Sequence, residues 1–177
     1  MGMKKILYIS LTTMLLAWYG CAVGEDAMNP GLDPSVSELV FKLVPSAAGS
    51  GLDTLVVNGN KVQWYNATTE EVRFTDNYAV AQSIPFANYK SVKFYLHANY
   101  LFSSFLAASS NSQSWSSLIL YYSSVENRFY LKDGYPDVSV LANPQAEQQL
   151  RDENRKKIAD EWALFIHQLK FEGRYEE

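Results

Sequence analysis

Hydrophobic positions fall into three regimes along the chain. Residues 6–19 form a nearly unbroken apolar run, residues 39–132 break into short runs bounded by turn residues, and residues 144–172 take a helical spacing. In the middle regime, residues 39–44 read as a strand stopped by Pro45, followed by a small-residue loop over 46–51. Residues 52–57 and 61–65 flank Asn58-Gly59-Asn60. An Asn-Gly between two apolar runs predicts a tight hairpin, because both residues tolerate positive φ. Residues 66–70 are a polar turn, and 71–75 continue the meander with Val72 and Phe74 on one face. Residues 76–90 are irregular; Ile84-Pro85-Phe86 reads as an edge or crossing segment, since proline cannot donate to a ladder. Residues 91–96 and 100–107 predict a second hairpin turning at His97-Ala98-Asn99. A polar loop over 108–114 then leads to a third hairpin, 115–123 with 128–132, turning at 124–127. Leu118, Leu120 and Tyr122 share one face of that hairpin, with Ile119 and Tyr121 on the other, so the strand should be covered on both sides.

Asp133-Gly134-Tyr135-Pro136 breaks the sheet pattern, and Asn143-Pro144 opens a helix: Asn143 can cap the free N–H groups and Pro144 suits the first helical position. The spacing predicts one long helix over 144–172, ended by Gly173. Its second half carries Ile158, Trp162, Phe165, Ile166 and Leu169 and should pack on the sheet. Its first half is polar and should be solvated or project, with residues 145–157 available as a protein contact. The expected fold is therefore α+β: an antiparallel sheet, a meander of hairpins that is curled or two-layered, with one long C-terminal helix packed on it. A β-sandwich or barrel with an appended helix is the alternative.

The first regime is an address. Lys4 and Lys5 precede the apolar run, which is short for a membrane span and reads as an export signal. It ends at Trp18-Tyr19-Gly20-Cys21, and Cys21 is the sole cysteine of the chain. Gly20-Cys21 resembles the lipobox of bacterial lipoproteins, in which the cysteine is lipidated and becomes the new N-terminus; Trp18 and Tyr19 depart from the usual residues. A lone exported thiol is otherwise reactive, and lipidation consumes it. Ala22 is not the Asp that retains many lipoproteins at the inner membrane, so the resemblance implies the outer membrane. Glu25-Asp26 resembles a weak form of an acidic surface-export tag. The organisation expected is a signal peptide over 1–20, the lipidated cysteine and a flexible tether over 21–34, and a single α+β domain over 35–177. Removing the two signal lysines takes the formal charge from −4 to −6. An acidic body is not drawn to anionic lipid, so the acyl anchor on Cys21 is the expected membrane contact.

Composition and charge exclude more than they assign. A pI of about 5.2 gives no nucleic-acid footprint. The two histidines, His97 and His167, have no partner at ligand spacing, so neither a metal site nor a cofactor is implied. The serines at 46–50 and 109–117 lack a nucleophile-elbow frame, and no phosphate-binding loop is present. Glu70-Glu71 and the pair Asp133 and Asp137 are the available carboxylates. They read first as turn formers, with a glycosidase pair or a calcium site as the chemical alternatives. No catalytic residue is assigned, and the chain is expected not to be an enzyme. Aromatic residues make up 14% of the chain, with 12 tyrosines and 4 tryptophans. Trp162 reads as core. Trp64, Tyr65, Trp115, Tyr121, Tyr130 and Tyr135 are the candidate binding surface, weighed against plain cross-strand packing.

Three stretches, Gly20-Cys21, 118–136 (LILYYSSVENRFYLKDGYP) and 162–175 (WALFIHQLKFEGRY), give the chain a resemblance to small lipoproteins of unknown function in gut Bacteroidetes. The resemblance implies a compartment: outer membrane, lipid-anchored, on the cell surface or the periplasmic face. The function expected is a non-enzymatic binding or accessory module whose partner is a glycan or an envelope protein. The alternatives are an envelope hydrolase acting on glycan or peptide, and a hydrolase inhibitor that would present the loop at 107–114.

Overall fold

Alternating positions between residues 39 and 132 become a mixed, curled sheet in the computed structural model, which describes residues 37–47, 51–110 and 112–177. The export segment, Cys21, the tether and the first two residues of the expected domain lie outside the described residues. The strands are β1 (Leu39–Pro45), β2 (Leu55–Asn58), β3 (Val62–Asn66), β4 (Glu71–Phe74), β5 (Tyr89–Leu96), β6 (Asn99–Ala108), β7 (Ile119–Ser123), β8 (Arg128–Lys132) and β9 (Tyr175–Glu176). The helices are α1 (Asn77–Ser83), α2 (Pro144–Lys156) and α3 (Ala159–Phe171). Strand order is β2-β1-β5-β6-β7-β8-β4-β3-β9, with β6–β7 and β3–β9 parallel and the remaining pairs antiparallel.

This corrects the expectation in four places. First, Asn58-Gly59 does not make a hairpin. Strand β2 pairs with β1, whereas β3 pairs with β4 and β9. A type I′ turn needs positive φ at both central residues. Here Asn58 is extended (φ −73°), and residues Gly59–Lys61 form a turn of 3₁₀ helix. Glycine is required for closeness instead: a Cβ on Gly59 would lie 2.6 Å from the Leu39 carbonyl oxygen and 2.7 Å from Leu39 Cβ. Three residues thus join one edge strand to the strand next to the opposite edge. That is feasible only if the sheet curls until its ends approach, which makes a half-barrel.

Second, the sheet is mixed because the chain crosses back after β6. Residues 115–118 are not strand; β7 begins at Ile119, beside Phe105, and runs parallel to β6. Trp115 makes an isolated bridge with Tyr135. The first residues expected in the 107–114 loop, Ala107 and Ala108, belong to β6. Third, the long helix is broken. Ile158 leaves helical geometry (φ −120°, ψ 20°) between α2 and α3. Fourth, the polar first half is largely solvated, as one of the two expectations had it, but it does not project, because α2 docks through a few polar groups. Arg151, only 6% exposed, donates to the Pro136 carbonyl, and Asn154 donates to Ser116 O and Ser117 Oγ.

Helix α3 fills the concave side. Phe165 packs on Phe94, Phe102 and Trp162 at ring-centroid distances of 5.8, 5.5 and 5.3 Å. Leu169 is fully buried beside them. Aromatic pairs of this kind each contribute about 0.5–1.5 kcal/mol beyond burial itself. The chain end is then locked. Arg174, itself buried, donates to Gly59 O at 2.5 Å and Val62 O at 2.9 Å, and β9 adds to β3. Helix α1 was not expected. It is under two turns long, too short to show a periodicity, although Asp76 caps it by accepting from Ala79 N at 2.9 Å.

Candidate functional site

Two surfaces carry chemistry. The first is an aromatic strip. Cross-strand register places Ala107, Tyr121, Tyr130 and Glu71 side by side on the face away from the shared core. The turn after β8 brings Tyr135 onto Tyr121, stacked at 4.5 Å with 19° between the rings. Tyr135 also meets Trp115 at 6.3 Å, and Trp115 meets Phe105 at 6.4 Å. Phe105 remains 43% exposed. Lys132 lies over the Tyr130 ring at 4.5 Å. Burial and the Tyr135 hydroxyl both raise the Tyr121 phenol, so it stays neutral. Trp115, Tyr121, Tyr130 and Tyr135 therefore converge.

The other two expected residues do not join them. Tyr65 is 4% exposed and sits in the core against Trp162, Phe165 and Tyr175. Burial raises its phenol strongly, and the nearby Glu70 adds to the effect. Val62 and Tyr65, three residues apart, both face the core because the β3–β4 register shifts between Val62 and Trp64, which breaks the period-2 alternation. Trp64 is half-buried and pairs with Arg73 at 5.4 Å, next to a buried carboxylate, Glu71, held by Arg73 at 3.0 Å and Arg128 at 3.4 Å.

The second surface is a cleft bordered by α2 and α3. It has three lobes that meet at Glu70, Asp133, Arg151 and Arg155. The arginines are four residues apart on α2, hence on one helix face. Arg151 is held by Glu147 at 3.0 Å, and Arg155 pairs with Asp133 while lying 3.7 Å over the Trp162 ring. A hydrogen bond with Ser116, reinforced by Arg151, keeps Glu147 below the usual carboxylate range. Burial lifts Glu70 above its ordinary value; Lys132 opposes the rise and Asp133 adds to it. Glu70 has φ 58°, a left-handed conformation that costs a non-glycine residue about 1–2 kcal/mol. Gly134 has no room for a side chain, since a Cβ there would press on the Arg151 guanidinium and approach the Trp115 carbonyl oxygen to 2.6 Å.

The first lobe of the cleft has a volume of about 460 Å³. Three consecutive β6 residues, Ser103, Ser104 and Phe105, line it, so it lies against the edge of β6. That edge is open because β7 starts only beside Phe105. Facing it from α2 and beyond are Arg151, Arg155 and Lys157, with Lys90 on the β5 side. Ser104 Oγ and Arg155 Nη1 are buried there without a hydrogen-bond partner among the described residues.

Reading the sequence found Glu70 and Asp133 but not their proximity, and it missed Ser104, Arg151 and Arg155. The available signal was the Arg151–Arg155 spacing on a helix otherwise poor in apolar residues. His97 lies in the β5–β6 turn beside Glu38 at 2.8 Å, and His167 is exposed on α3. Among the described residues no group of three or more His, Cys, Asp or Glu is placed to hold a metal ion. Comparison with models of protein families, with curated proteins and with solved structures finds no match for this chain.

Proposed function

We propose that this chain is an outer-membrane lipoprotein, anchored through Cys21, whose folded body is a non-enzymatic binding module for a glycan. The observation that carries the reading is the convergence of Trp115, Tyr121, Tyr135 and Phe105 into one strip with a partly open aromatic edge. Such faces stack on the apolar side of sugar rings and lose little rotamer entropy in doing so. An envelope protein is the other partner class for the same strip.

The test is a glycan panel against the full-length chain in detergent, with Trp115→Ala alongside. Binding that falls about tenfold or more in Trp115→Ala supports the reading, since one stacked ring contributes about 1–3 kcal/mol. A blank glycan panel sinks the glycan assignment. A specific envelope partner that Trp115→Ala still binds as tightly sinks the strip as the site.

One observation favours a second reading. Glu70, with its raised carboxyl, and Asp133 share a lobe of the cleft. Two carboxyl groups facing one cavity, one of them raised by burial, are the kind of pair that glycoside hydrolysis uses. Hydrolysis of any glycan by the wild-type chain, abolished in Glu70→Gln, would replace the binding reading with this one.

A further inference from the structure

The lobe beside β6 is built differently from the aromatic strip. Four cationic side chains, Lys90, Arg151, Arg155 and Lys157, line it against one carboxylate, Asp133, in a chain whose formal charge is −4. Glu147 reaches Arg151 from outside the lobe, so two of the cations are already paired; among the described residues Lys90 and Lys157 meet no carboxylate, and Lys157 donates to Asn154 Oδ1 at 2.8 Å. Arg155 uses Nη2 on Asp133 and keeps Nη1 buried without a partner among the described residues. A guanidinium presents its donors as a fork matched to a planar carboxylate.

Ser104 makes the second half of the argument. It is 3% exposed, on the open edge of β6, and its buried hydroxyl has no partner among the described residues. A buried donor left unmade costs free energy, so such groups occur where something else completes them. Ser91, Ser103 and Ser117 add further hydroxyls around the same lobe, while Phe105, Leu118 and Ile158 supply apolar wall. Cations on the α2 and β5 sides, several hydroxyls and an apolar wall around one lobe match a sugar ring that carries a carboxylate. The volume lies within the range of small-molecule sites.

We propose that this lobe is a binding site for an acidic saccharide residue, a hexuronic acid, with its carboxylate toward Arg155, Lys90 and Lys157 and a ring hydroxyl toward Ser104. The assignment rests on the reading of the body as a glycan-binding module and adds a second subsite, reached past Phe105, which borders both surfaces.

The experiment is calorimetric titration of the full-length chain in detergent with glucuronate and galacturonate. Glucose, galactose, inorganic phosphate and inorganic sulfate are the comparison ligands. Lys90 and Lys157 are exposed, so Lys90→Gln/Lys157→Gln tests the charge without touching the core. Uronate binding should weaken about tenfold in that double variant and by a similar factor in Ser104→Val. It should also weaken as salt is raised.

Neutral sugars should bind at least about tenfold more weakly than uronates, since they leave the cations unpaired. Absence of uronate binding, or binding unchanged in the double variant, overturns the site. Phosphate or sulfate binding as tightly as uronate overturns the saccharide class. Neutral glycans that bind and are lost in Trp115→Ala, with uronates inert, overturn this site but leave the module reading standing. Silence of both sets overturns both.

Discussion

Glu70 concentrates the opposing demands of the cleft. It holds a left-handed backbone, its carboxyl is partly buried, and Lys132, Arg151 and Arg155 are near enough to lower it, yet desolvation wins and its pKa is raised. The folded state therefore binds this proton more tightly than the unfolded chain. Stability linked to that proton is fully present below the ordinary value of 4.5 and is lost as pH rises through the folded value. Glu70→Gln removes the penalty while keeping size and backbone. Its thermal midpoint should exceed that of the wild type at pH 7–8, and the difference should vanish near pH 4. Thermal melts across that range decide the matter; a variant that is less stable at pH 8, or a difference that does not change with pH, would show that the neighbouring cations outweigh burial. A net gain in stability at neutral pH would also mark the charge on Glu70 as retained for something other than folding.

At the scale of elements, the C-terminal lock is where sequence and structure part most clearly. Arg174 ties α3 and β9 to the Gly59–Val62 connection, 112 or more residues away in sequence. Its loss leaves two carbonyls and Glu172, 3.4 Å away, without their buried partner. Arg174→Ala should cost about 3 kcal/mol, read as a lower urea midpoint, with Arg174→Lys intermediate. A cost below about 0.5 kcal/mol would mean that the half-barrel closes through packing alone.

Nothing local in Gly-Arg-Tyr-Glu announces this role, because the partner groups are backbone carbonyls. The strands themselves were legible wherever pairing is local. Residues 91–107 and 119–132 form the two expected hairpins, with turn residues His97 and Asn127 at φ 54°. They were illegible where pairing is remote. Asn58-Gly59 carries the letters of a hairpin, but long-range closure of the sheet decided its geometry. The break at Ile158 was hidden for a related reason: the apolar spacing continues across it, and only the docking of Arg151 and Asn154 shows that α2 answers to a different surface. Likewise the aromatic strip was read residue by residue, while Tyr65 left it because a register shift between Val62 and Trp64, invisible in the sequence, breaks the period-2 alternation and turns it into the core.

For the whole molecule, the folded body and its attachment are separate problems. No helix among the described residues is long and apolar enough to cross a membrane. The anchor proposed above, Cys21 with the apolar run before it, lies outside the described residues. Burial of each acyl methylene contributes about 0.8 kcal/mol, so two or more chains hold a protein that has no other affinity for lipid. In that proposal, loss of the two signal lysines would take the formal charge to −6, which would add repulsion from anionic headgroups and leave the acyl chains as the deciding term. Cys21→Ala should accordingly move the chain from the membrane pellet to the soluble fraction, while near-UV circular dichroism of the folded body is unchanged. A variant that still sediments with membranes, and resists a salt wash, would refute the acyl anchor and direct attention to the body itself. Released protein that retains glycan binding would separate the two roles: the cysteine sets where the module works, and the strip and cleft set what it holds.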